Sequence, residues 1–155
     1  MPDPRSPSPS SEGELFASEI DAYNALCAYT LSLGDPEFLH QYVVDAWAVQ
    51  HASPLSKPIA LSFSMFGLYC GVEKSISGRQ VQRFHMQMAR MRREWPSLPL
   101  PRGTPSITVL DVMRATPGAD RNDLIRKWAA ATWSCCEDAR PKVIELAWTE
   151  CGIKP

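Results

Sequence analysis

Between Pro58 and Val72 the chain reads PIALSFSMFGLYCGV, a stretch without a charged residue. A helix that is apolar on every side has to be enclosed by other elements, so the rest of the chain is read as its enclosure. Ile59, Phe63, Phe66 and Cys70 fall on one helical stripe, and Leu61, Met65 and Leu68 on another. Ser56 as N-cap with Pro58 in the first turn predicts the start, and Glu73 and Lys74 mark the end. At about 15 residues the run falls short of the roughly 20 that cross a bilayer, so no membrane partner is expected. Gly67 and Gly71, one turn apart, offer a place for a neighbouring backbone to come close.

A chain of 155 residues, 45% hydrophobic, buries one sizeable core. The expected organisation is a disordered Pro/Ser-rich tail over residues 1–13, followed by a single helical domain over 14–155. A net charge of -1 gives no general attraction to nucleic acid or acidic membrane, so neither is expected as a partner. The five cysteines are odd in number and form no CxxC, which points to reduced thiols. No signal peptide is read at the N-terminus, and the localisation expected is cytoplasmic.

The remaining pattern is helical. Phe16, Ile20, Tyr23, Cys27 and Leu31 predict a first amphipathic helix closed by Gly34. Asp35 and Pro36 predict the cap and first position of a second, running to about His51. Val81, Phe84, His85, Met88, Met91 and Trp95 make the inner stripe of a fourth, with Arg79, Arg83, Arg90, Arg92 and Arg93 on its other faces, read as a solvated arginine face. Residues 96–105 are too rich in proline for regular helix, and 107–115 reads as a short helix despite its strand-like ITV start. Further helices follow from Asp120, with Leu124, Trp128, Ala131 and Cys135 on a stripe, and after Pro141, ended by Gly152. The fold class expected is all-α: an up-and-down bundle of four main helices with a C-terminal helical extension.

No phosphate loop, HExxH, serine elbow or paired-cysteine zinc signature is present, so a site has to be assembled by the fold. With about 1.5 Å of rise per residue, an up-and-down arrangement puts Cys27 about 9–10 Å, His40 about 6 Å, Cys70 about 6 Å and His85 about 10 Å from one end. His51 lies 11 residues from His40, about 16 Å along the same helix, and is left out. The expected site is therefore a buried polar centre around His40 and His85. Glu73 would orient one imidazole in a catalytic role, unless it pairs with Lys74 or Arg79. Cys27, His40, His85 and Cys70 are the candidate ligands for zinc or another divalent transition metal. The competing reading makes both cysteines core packing and the histidines a hydrogen-bonded pair. Asp45, about 140° round its helix from His40, is expected to face the C-terminal helices or water.

The runs LCAYTLSLGDPEFLHQYVVDAWAVQH, KPIALSFSMFGLYCGVEKSISGRQVQRFHMQMAR and WPSLPLPRG resemble a family of small, all-helical bacterial proteins known only as an uncharacterised domain. The resemblance covers most of the chain after the tail. It implies that Cys27, His40, Asp45, Glu73 and His85 occupy family positions and that Cys70 does not, and it implies no mechanism. Two function classes follow: a small metal-binding protein or enzyme acting on an unidentified small molecule, and a non-catalytic interaction or oligomerisation module that docks a protein partner or a second copy.

Overall fold

The computed structural model describes residues 18–91 and 94–155, so the tail expected at 1–13, Phe16, Arg92 and Arg93 lie outside the described residues. Among the described residues the chain is all-α, with seven helices and no strand. These are α1 (Glu19–Ser32), α2 (His40–Gln50), α3 (Pro58–Lys74), α4 (Gly78–Met91), α5 (Val109–Arg114), α6 (Ala119–Ser134) and α7 (Arg140–Cys151). None of them is long and apolar enough to cross a membrane.

The uncharged segment is the centre of the fold. Pro58 is the first residue of α3, one position after a Lys57 N-cap rather than directly after Ser56, and every residue from Ser64 to Cys70 is buried. Ile59 is the exception at the helix start, 37% exposed. At the other end Ser75 takes a left-handed backbone (φ 52), and the Ile76 N–H closes on the Cys70 carbonyl at 3.0 Å, which satisfies a carbonyl the helix end would leave open.

The enclosure differs from an up-and-down bundle of the first four helices. α3 packs against α2, α4, α6 and α7, whereas α1 packs mainly against α2 and α5. The C-terminal helices are thus part of the core and not an extension on one side. Trp128 of α6, fully buried, carries this exchange: its indole N–H donates to the Gln50 Oε1 of α2 at 2.9 Å. The buried stripes are also rotated by about one residue from the expected ones. α1 buries Ala22, Leu26 and Thr30 and leaves Ile20 and Leu31 exposed, and α6 buries Ile125, Trp128, Ala129 and Thr132. The stretch 107–115 does hold a short helix, Val109–Arg114: the Thr108 N–H donates to the Asp111 carboxylate at 2.8 Å, a capping interaction that a strand would not use.

The turn before α2 carries the largest local departure. Helix begins at His40 and not at Pro36, because Phe38 has a left-handed backbone (φ 56), costly for a bulky side chain. Asp35 still acts as a cap, accepting the Leu39 N–H at 2.9 Å. The strained turn is held from outside by α4. A Cβ on Gly78 would lie 2.2 Å from the Phe38 carbonyl oxygen, and the Arg79 guanidinium sits 4.3 Å above the Phe38 ring.

Candidate functional site

His40 and His85 are not brought to one level. His40 is the first residue of α2, at the end where Tyr42 packs on Gly71 of α3. His85 stacks on Phe63, ring centroids 4.4 Å apart, and Phe63 is 8 residues, about 12 Å, further back along α3 than Gly71. The height assigned to His40 fails because residues 35–39 are a turn, so the helical rise starts later than Asp35.

Each imidazole has its own partner. The Thr30 Oγ1 lies 2.9 Å from His40 Nδ1 and within reach of the Leu26 (3.0 Å) and Cys27 (3.2 Å) carbonyls, so this hydroxyl joins the His40 ring to the α1 backbone. His85 donates its Nε2–H to the Phe63 carbonyl at 3.0 Å. Burial lowers the pKa of both, that of His85 to about 4 despite the opposing carbonyl bond, so both rings are neutral at pH 7.

Cys27 is half-buried beside the Tyr23 hydroxyl, and Cys70 is fully buried in α3; burial holds both thiols above their ordinary pKa, toward the protonated form. Among the described residues no three His, Cys, Asp or Glu side chains form a group that could hold a metal ion. Among the described residues Glu73 forms no hydrogen bond or ion pair with either histidine, Lys74 or Arg79. Its carboxylate accepts two bonds from Arg140 and one from the Trp133 indole, each 2.7 Å, and the Arg140 bond leads the effects that lower its pKa, to which the Lys74 charge adds.

The buried polar centre is at Asp45. It is 3% exposed and points at α3, where a Cβ on Gly67 would fall 1.9 Å from its Oδ2, so the glycine makes room for the carboxyl. The neighbour that comes close is therefore a side chain and not a backbone. Its hydrogen-bond partner among the described residues is Gln41 Nε2, at 3.0 Å. Burial raises the Asp45 pKa well above the usual carboxylate range, and the Gln41 bond opposes this only in part. Gly67→Ala is expected to cost about 1–3 kcal/mol, because the short, enclosed carboxyl has nowhere to go. In an Asp45→Ala background, urea unfolding should show most of that cost gone; a cost that persists would place the strain elsewhere.

Asp45 borders a void of about 10 Å³, room for a single water, shared with Gln41, Gly78 and Val81. Tyr42, Gly71 and Ile76 line this void and also the floor of an outer cleft of about 360 Å³. The Tyr42 hydroxyl donates to the Gly71 carbonyl at 3.2 Å, a bond between two residues that line both spaces. Around the cleft are the apolar walls Val72 and Ala130, the hydroxyls of Ser75 and Ser77, and an ion pair between Arg126 and Glu37 at 3.0 Å. Sequence reasoning placed Asp45 on the wrong neighbour; the readable signal was a carboxylate in the apolar run VVDA facing a helix with two glycines one turn apart.

The segments VVDA, GLY and GRQVQR, within the runs that carried the resemblance, contribute residues to this region. Neither the curated proteins nor the solved structures gave a match to this chain. A family model does match, over residues 20–137, which takes in the helices that build the cleft. The chain belongs to the family of unknown function DUF5946.

Proposed function

We propose that this protein binds a small polar molecule in the cleft between α2, α6 and the α3–α4 turn, with Asp45 as the neutral acid behind its floor. The observation that supports the reading most is the void at Asp45, which shares Tyr42, Gly71 and Ile76 with the cleft. A volume of about 360 Å³ is in the range of small-molecule sites. The Arg126–Glu37 pair offers one charge of each sign at the rim, and Val72 and Ala130 suit an apolar body. A protonated carboxyl can both donate and accept, which suits a carbonyl- or amide-bearing ligand once the Tyr42 ring moves aside. Binding rather than turnover is the reading supported, since the serines that line the cleft have no histidine beside them in its lining.

The test is a fragment screen of small amides and carboxylic acids, followed by amide shifts in nitrogen-15 spectra. Binders should shift Tyr42, Gly71, Ile76 and Arg126, and Ala130→Trp, which fills the cleft from an exposed position, should weaken them at least tenfold without moving the melting temperature. Shifts centred on His40 and His85, or equimolar zinc in untagged protein, would move the site to the histidines and overturn the reading.

A further inference from the structure

The outer face of α4 is the strongest feature that the cleft leaves unused. Val81 and Met88 of this helix are buried, while Met86 is 58% and Met91 71% exposed. With Arg83, Gln87 and Arg90 these methionines line a shallow trough of about 450 Å³. The residues recur at helical spacing, so cationic and thioether groups alternate along one face. α4 contains no acidic residue. Arg83 meets the amide oxygen of Gln80, and among the described residues neither Arg83 nor Arg90 forms an ion pair with a carboxylate. Two guanidiniums are thus held beside two flexible apolar side chains, with no carboxylate bonded to either among the described residues, and Gln87 between them donates to the Glu150 carbonyl of α7 at 3.0 Å.

We infer that this face docks an acidic amphipathic helix of a partner protein, with carboxylates against Arg83 and Arg90 and apolar side chains on Met86 and Met91. Methionine adapts its shape to such a helix at little cost, as in other groove-type recognition. A second copy fits poorly, since a two-fold contact through this face would set arginines against arginines. Nucleic acid fits poorly as well, because the lining offers no aromatic ring for a base and the chain carries a net charge of -1.

The probe is a fluorescein-labelled helical peptide of 16 or so residues, with glutamate and leucine at helical spacing, titrated by anisotropy into the full chain at about 50 mM salt. Saturable binding is expected, with amide shifts confined to α4. The double variant Arg83→Glu/Arg90→Glu and the single variant Met86→Ser should each weaken it at least tenfold, at an unchanged melting temperature because all three sites are exposed. Parallel titrations use a poly-glutamate peptide, a single-stranded oligonucleotide and vesicles of phosphatidylserine and phosphatidylcholine. Absence of saturable binding, equal binding of any of these three, shifts away from α4, or self-association through this face would each overturn the proposal.

Discussion

Phe66→Ala is expected to destabilise the protein by about 3–5 kcal/mol, through lost burial and the cavity left behind. Phe66 is fully buried at the middle of α3, edge-on to Phe84 with centroids 6.0 Å apart and 5.7 Å from the His85 ring. Because α3 is enclosed by four other helices, the surroundings have little freedom to collapse into the space. Ile59→Ala, at the exposed start of the same helix, should cost under about 1 kcal/mol. Urea unfolding of both variants measures the difference. A Phe66→Ala cost below about 1 kcal/mol would mean that α3 is not enclosed, and the placement of Asp45 against Gly67 would fall with it.

The ability to identify α3 from sequence has a simple cause: a segment with no polar face has one kind of environment open to it. The helix ends were readable where a single residue decides them, as at Gly152, which ends α7 with a left-handed backbone (φ 66). Neighbour choice was less readable. An up-and-down reading makes consecutive helices adjacent, yet α6 competes for α3 and α2 with a fully buried tryptophan whose indole also finds Gln50, and α1 has no comparable side chain. The site suffered most, because heights along helices depend on where each helix starts. Phe38 adopts a left-handed backbone that only the packing of Gly78 and Arg79 explains, and those contacts are distant in sequence. One such turn moved His40 out of the layer of His85 and left Asp45 as the buried ionisable group on α2.

Asp45→Asn should stabilise the protein at neutral pH, by an amount that grows with pH. An unfolded aspartate ionises near 3.9, whereas burial keeps the folded Asp45 carboxyl protonated well above that. Between the two values the folded state holds one proton more than the unfolded state, so stability falls as pH rises, by about 1.4 kcal/mol per pH unit. His85 works in the opposite direction. Its pKa is lowered to about 4 in the fold against about 6.5 unfolded, so between those values the folded state holds one proton fewer and stability rises with pH. The two contributions therefore oppose each other wherever their pH windows overlap above about pH 4, and a pH profile of the wild type alone would hide both. The difference between wild type and Asp45→Asn cancels the His85 contribution. Asparagine keeps the acceptor for Gln41 Nε2 and the shape that fits against Gly67, so the variant's advantage should be small near pH 4 and widen as pH rises toward the raised pKa of the folded Asp45. Chemical unfolding at four or five pH values gives the slope. A gap that stays constant with pH would show that Asp45 ionises in the fold as it does in the unfolded chain, and the cleft would then have an ordinary carboxylate behind it and no neutral acid to offer a ligand.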